Sequence, residues 1–259
     1  MDPDEPVVYV DDEAFMRGRG AFETLRIYGG HPFRLGDHLD RLEVSCGRLG
    51  FAPPSRAAIE ELVAAVVDRA SDAMLRVYAT PGRGDGSQAL AVVSELPGDL
   101  DELRRRGIGL ISVEFRPADL IGGVKSTSYA LNMIAVDAAK ERGADDALFV
   151  GEGSVVLEAT TSNIWWRDGE TLCTPSLDVG ILAGVTRDVM RELAPSLGYR
   201  VRESIFSVDE LAAASEAFTS SSVREVMPVV SLDGAPIGEG TPGDAAARLQ
   251  AGLREQACP

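Results

Sequence analysis

The chain has little of what the commoner active sites are made from. Its 259 residues contain two histidines, His31 and His38, so a hydrolase triad or a multi-histidine metal centre has few possible builders, and no metal is expected. Cys46, Cys173 and Cys258 form an odd set without CxxC spacing, which suggests neither a disulfide framework nor a zinc site; reduced thiols in a cytoplasmic setting are the simplest reading. Positive charge is scarce as well. With 25 Lys plus Arg against 41 acids and a net charge of -16, a nucleic-acid surface is not expected, and small-molecule chemistry fits better. No apolar run reaches the roughly 18–20 residues of a spanning helix, and the acidic start Met1-Asp2-Pro3-Asp4-Glu5-Pro6 has no apolar leader segment, so neither membrane insertion nor export is expected. Lysine itself is almost missing: Lys125 and Lys140 are the only two.

What is present is an ordinary globular composition, long enough for two lobes. Residues 20–28 alternate as a strand with Phe22, Thr24, Arg26 and Tyr28 on one face, and Gly29-Gly30 turns it back. Leu35, Leu39, Leu42 and Leu49 predict a helix that stops at Gly50; a second helix is expected from Ser55 to about Ala70. Strands at 74–80 and 89–94 flank a glycine-rich loop carrying Arg83, so residues 1–115 read as an α+β lobe. A short helix near 100–106 and a strand near 108–113 close that lobe. The stretch 116–123, with Pro117 and Gly122-Gly123, reads as the connection to a second lobe over 124–259. That lobe is expected to hold helices at 127–142, 185–197, 207–214 and 242–255. Its strands are expected at 146–150, 154–158, 163–166, 200–203, 216–220 and 226–232.

Four places carry chemistry. Lys125 stands at the end of a flexible segment just before an apolar helix, readable either as a reactive amine or as a solvated lysine at a helix start. Glu158 follows Val155-Val156-Leu157 and precedes the short polar cluster through Ser162 and Asn163. A half-buried carboxylate there needs a positive partner or hydrogen bonds, and a protonated ring nitrogen and a nearby arginine serve equally well. Leu182-Ala183-Gly184-Val185-Thr186-Arg187 opens a helix and Ser220-Ser221-Ser222 ends a strand; both can offer N–H groups and hydroxyls to an anion, though a plain capped helix has the same look.

The ordered set of these motifs closely resembles the class IV aminotransferases, the fold-type IV enzymes of pyridoxal 5'-phosphate (PLP). It runs from Gly18-Arg19-Gly20-Ala21-Phe22-Glu23-Thr24 and His38-Leu39-Asp40-Arg41-Leu42 through Gly123-Val124-Lys125-Ser126, Asp145 to Val150 and Leu157-Glu158. It continues through Thr174-Pro175, Leu182 to Arg187 and Met227-Pro228-Val229, nearly the whole chain. The resemblance implies an α+β, two-domain fold with a small N-terminal lobe, a larger C-terminal lobe and the cofactor between them. It also implies a homodimer, with Lys125 as the Schiff-base lysine and Glu158 at the pyridine nitrogen. Arg41, Val185, Thr186 and Ser222 match phosphate-binding positions. Tyr129 matches a tyrosine near the phenolic oxygen, and Leu182 an apolar residue packed on the ring. Ser162, Asn163, Gly184 and Ser221 are further cofactor-side positions.

The family's usual activities are branched-chain L-amino-acid transamination, D-amino-acid transamination, and cleavage of aminodeoxychorismate to 4-aminobenzoate and pyruvate. Specificity then rests on Phe22, Thr24, Arg26 and Tyr28, the Arg83 loop, Thr127 and Ser128. Arg26, Arg76 and Arg83 are the candidates to clamp a substrate carboxylate. Branched-chain members usually have a tyrosine where this chain has Arg17 and Phe-Glu-Gly where it has Phe22-Glu23-Thr24, which demotes that reading. The expectation is a transaminase using a small D-amino acid as donor and a 2-oxo acid as acceptor. The lyase is the alternative, and a non-enzymatic PLP-binding protein the reading from another class.

Overall fold

A computed structural model describes residues 8–68, 70–84, 86–116 and 122–257. The chain divides into two units. The first runs up to Leu96 and takes in Val124–Tyr129; the second comprises the remainder from Pro97 onward.

In the first unit a short helix α1 (Glu13–Arg17) precedes β1 (Ala21–Tyr28), β2 (His31–Pro32), α2 (Leu35–Arg48), α3 (Arg56–Val67), β3 (Asp72–Arg83) and β4 (Gly86–Ser94). The strands form one antiparallel sheet in the order β2-β1-β3-β4. Period-two alternation decides its faces. Ala21, Leu25 and Ile27 of β1 and Ala73, Leu75, Val77 and Ala79 of β3 bury against Leu39, Leu42 and Cys46 of α2 and Ile59, Val63 and Val67 of α3. Each fully buried side chain such as Leu25 or Leu75 contributes about 1.5–3 kcal/mol. Ser55 caps α3 by accepting the Ala58 N–H at 3.3 Å.

The second unit contains α4 (Leu100–Arg106), β5 (Ile108–Glu114), α5 (Ala130–Glu141), β6 (Asp146–Gly151), β7 (Val155–Ala159), β8 (Asn163–Asp168) and β9 (Thr171–Pro175). These are followed by α6 (Val185–Leu193), β10 (Arg200–Ser204), α7 (Val208–Ala212), β11 (Glu216–Ser221), β12 (Glu225–Leu232), β13 (Ala235–Pro236) and α8 (Asp244–Ala257). Its mixed sheet has the order β10-β9-β8-β11-β12-β5-β6-β7, with β13 added to β12. α5 packs on it through Ala135 and Ala139, one turn apart, against Ile111, Ala147, Phe149 and Leu157. Trp165 stacks on Phe218 with ring centroids 6.3 Å apart, fixing β8 beside β11.

Four expectations from the sequence change. The division falls after Leu96, not at 115, because β5 pairs in parallel with β6 and β12 inside the large sheet. Residues 124–129 belong to the first unit: Ser126 bridges Ala21, the Phe22 N–H donates to the Lys125 carbonyl at 3.1 Å and the Thr127 N–H to the Gly20 carbonyl at 2.8 Å. That extended pairing also delays the helix expected from 127 until Ala130. Within the expected connection 116–123, residues 117–121 lie outside the described residues, and Gly122-Gly123 forms a turn. The helix expected over 185–197 ends as an α-helix at Leu193 and tightens into a 3-10 turn over Ala194–Leu197, where Pro195 cannot donate the next helical hydrogen bond.

Candidate active site

In the first unit the lysine segment is stapled to both β1 and α2. Besides the two backbone bonds to β1, the Lys125 N–H donates to Ser45 Oγ of α2 at 3.3 Å, and Ser128 Oγ donates to the Gly18 carbonyl at 3.1 Å. Thr127 Oγ1, a substrate-side candidate, accepts the Gly20 N–H at 3.2 Å and so helps fasten the segment. Glycine is required on the other side. A Cβ on Gly18, whose φ is +68°, would meet Ser128 Oγ at 2.2 Å, and one on Gly20 would meet Thr127 Oγ1 at 3.0 Å. So held, Lys125 Nζ sits 4.5 Å from the centroid of the Phe22 ring and 5.9 Å from that of Tyr129, while Phe22 stacks on Tyr78 at 5.9 Å.

Behind β1 lies a cluster that the sequence reading passed over. Glu23 points to the apolar face, between Ala21 and Leu25, and is fully buried. Arg41 of α2 meets it side-on, Nε to Oε1 at 2.8 Å and Nη2 to Oε2 at 2.6 Å, and His38 Nδ1 lies 2.7 Å from Oε2. Burial pushes the Glu23 carboxyl up, but the charge and hydrogen bonds of Arg41 and the contacts of His38 outweigh it and bring it down to about 2. Burial lowers His38 from its ordinary value against the pull of Glu23, and Arg41 and Lys125 push the same way. His38 is therefore neutral at pH 7, with its Nδ1 proton donated to the ionised Glu23. The signal in the sequence was a carboxylate on the buried phase of an alternating strand, with His38, Arg41 and Ser45 spaced i, i+3, i+7 along one stripe of α2.

The opposite face of the same sheet carries the substrate-side candidates, and it separates them. Arg26 is buried and bound bidentately to Asp72, with two contacts of 3.0 Å. Arg83 is exposed and paired with Asp11 at 3.1 Å. Tyr28 packs edge-on against Phe33 and lies six residues along β1 from Phe22, about 20 Å away in an extended strand. Arg76 differs from these. It is half-buried on β3, opposite Thr24 and two residues from Tyr78, and its guanidinium makes no hydrogen bond or ion pair among the described residues.

In the second unit Glu158 is half-buried near the end of β7. Its Oε1 accepts the Leu182 N–H and its Oε2 accepts from Asn163 Nδ2, both at 3.1 Å; the same amide nitrogen donates to the Leu182 carbonyl at 2.9 Å. Gly184 precedes α6 and is the N-cap, so no side chain caps that helix; a Cβ there would meet Asn163 Oδ1 at 2.0 Å. Val185 and Thr186 supply the first turn, whose N–H groups lack helical partners. Ser162 Oγ is buried with no hydrogen-bond partner among the described residues. Ser221 Oγ accepts the Arg224 N–H at 3.3 Å, closing the turn that carries Ser222. Among the described residues no group of three His, Cys, Asp or Glu is arranged to hold a metal ion, and no helix is long and apolar enough to cross a membrane.

These groups fit PLP by their chemistry: an amine beside aromatic rings, a carboxylate held by two N–H donors, an uncapped helix start and an unclaimed buried hydroxyl. Comparison with known proteins points the same way. The chain is 31% identical to a putative branched-chain-amino-acid aminotransferase of Methanocaldococcus jannaschii (96% of this chain, 91% of the relative). It is 30% identical to an aminodeoxychorismate lyase of Bacillus subtilis (96% and 89%) and 29% identical to a D-alanine aminotransferase of Bacillus licheniformis (98% and 93%). A hypothetical aminotransferase from Mycobacterium tuberculosis, solved in a PLP-bound form, superposes with a TM-score of 0.91 at 28% identity, over 99% of this chain and 95% of that one. Residues 20–232 match the family model for amino-transferase class IV, and the chain therefore belongs to the class IV aminotransferases, enzymes that work with PLP.

Proposed function

We propose that the protein is a transaminase that moves an amino group between a small D-amino acid and a 2-oxo acid, working as a homodimer. The observation that carries the reading is Arg76. Of the three arginines considered as carboxylate clamps it alone makes no ion pair among the described residues, and it shares a sheet face with Phe22, over whose ring Lys125 Nζ sits. A half-buried guanidinium with no protein acceptor among the described residues keeps its donors open to an anion, and both an amino acid and a 2-oxo acid bring a carboxylate. The likeness to a D-alanine aminotransferase over nearly the full length supports the hand of the donor, as does Thr24 where branched-chain members usually have glycine.

In this reading Lys125 holds the cofactor and then carries the proton removed from the substrate Cα, its amine kept poorly solvated by Phe22 and Tyr129. PLP, when bound, accepts the electron pair left as the Cα–H bond breaks. Glu158, oriented by Leu182 and Asn163, keeps a proton on the pyridine nitrogen. Arg41, the first turn of α6 at Val185 and Thr186, and Ser222 bind the phosphate. Arg76 and Thr24 receive the substrate carboxylate.

The test is the visible spectrum of the PLP-loaded protein with D-alanine, L-leucine or aminodeoxychorismate added separately. Bleaching of the band by D-alanine and not by L-leucine is expected, with Arg76→Ala raising KM about tenfold or more and changing kcat less. Pyruvate released only from aminodeoxychorismate would make the protein the lyase, and bleaching by L-leucine alone a branched-chain transaminase. Absence of any visible band would remove Lys125 from its role.

A further inference from the structure

We infer that Glu23, backed by His38, is a positioning residue that sets the Arg41 guanidinium for a phosphate group. The inference rests on the reading of Arg41 as a phosphate ligand. Nothing in that reading requires a carboxylate beside Arg41; taken alone, a negative charge next to an anion site opposes binding. Yet Glu23 is fully buried and engages Arg41 through both Nε and Nη2, the side edge of the planar fork. Planarity then leaves one orientation for the guanidinium, with Nη1 directed away from Glu23.

His38 determines which way the carboxylate faces. Its Nδ1 donates to Oε2, the oxygen that also receives Arg41 Nη2, so the carboxylate is held from two sides of one helix stripe. The backing is rigid: His38 is 2% exposed, and Leu39 and Leu42 on the same helix lie in the core. Ser45, one turn beyond Arg41, receives the Lys125 N–H, so the helix that carries the fork also fastens the lysine segment. The Glu23 charge thus serves two ends: it compensates a largely buried guanidinium when no anion is present, and it fixes the direction of its donors.

Titration of the PLP-free protein with PLP and with pyridoxal, which lacks the phosphate, isolates the phosphate-dependent part of affinity as the ratio of the two dissociation constants. Glu23→Gln keeps the shape and removes the charge. Positioning predicts that PLP binding weakens about tenfold while pyridoxal binding stays within about twofold. Relief of charge repulsion predicts the opposite sign, so unchanged or tighter PLP binding overturns the inference, as does equal weakening of both ligands. Should Glu23→Gln fail to fold, as judged by its melting curve, His38→Gln replaces it, with about threefold weakening of PLP alone expected; no change in the ratio overturns the inference. Arg41→Ala separates the two levels. If it leaves the ratio unaltered, the phosphate reading itself is wrong; if it raises the dissociation constant for PLP relative to that for pyridoxal and Glu23→Gln does not, only the role of Glu23 is lost.

Discussion

Lys125 and Glu158 are held in contrasting ways. The hydrogen bonds that fasten the lysine segment reach across 80 and 107 residues, to Ser45 and Gly20. Those that orient Glu158 reach across 5 and 24, to Asn163 and Leu182. The carboxylate is thus a local product of two neighbouring stretches, whereas the lysine reaches its place only after the chain has left the first unit and returned to it. Closing the longer loop costs more chain entropy, and the compensation comes from many small fastenings: a bridge, two backbone bonds, three side-chain bonds and glycines that permit close approach. Loss of any single fastening should therefore be graded, while loss of one partner at Glu158 should be abrupt.

The largest effect is expected from Lys125→Ala, which should lower turnover by at least about a thousandfold, measured as steady-state transamination of the PLP-loaded protein. Glu158→Gln comes next, with kcat reduced about a hundredfold and a melting temperature near that of the parent, because the amide keeps the volume and the Leu182 contact but not the charge.

The glycines test the contrast directly. Gly184→Ala drives a Cβ into Asn163 Oδ1 with an ordinary φ of -73°, so its cost is steric and falls on the partner of Glu158; about 1–3 kcal/mol is expected by denaturant unfolding, with weaker PLP binding. Gly18→Ala meets a side-chain hydroxyl that can turn away, and its cost comes mainly from the left-handed backbone, about 1–2 kcal/mol. Equal losses of PLP affinity in the two variants would mean that the lysine segment is as brittle as the carboxylate.

Acid acts on the cluster behind β1 more gently. The folded-state value of His38 lies below its ordinary 6.5, so the stability it permits is complete above that pH and declines as the pH falls beneath it. Glu23, depressed from 4.5 to about 2, adds a second decline between those values. Denaturant midpoints at pH 7, 5.5 and 4 should fall for the parent, and His38→Gln should flatten the first step. The smallest effect is expected of Arg83→Ala, an exposed residue already paired with Asp11, with KM changed less than about twofold.

Much of the fold was legible in the sequence because it follows local rules. The alternation of β1 and the heptad-like spacing of α2 have periods that survive without knowledge of partners, and β11 and β12, buried almost throughout, read as short apolar runs. The motifs around Lys125, Glu158 and Gly184 were readable for the same reason, as short strings with distinctive chemistry. The strand β9, by contrast, was not expected from the sequence, and its place rests on pairing with β8 and β10.

What the sequence by itself determined was therefore the inventory: a lysine just after a glycine pair, a carboxylate before a polar cluster, a glycine ahead of a helix, and positive charge carried by arginine with only two lysines. Tertiary structure decided which arginines were already paired, that Thr127 is fastened to Gly20, that residues 124–129 join the first unit, and that Glu23 and His38 stand behind Arg41. The reason is reach. A charge shows its type in one letter, but its availability depends on neighbours brought to within 3 Å by chain closure, and no local period encodes those.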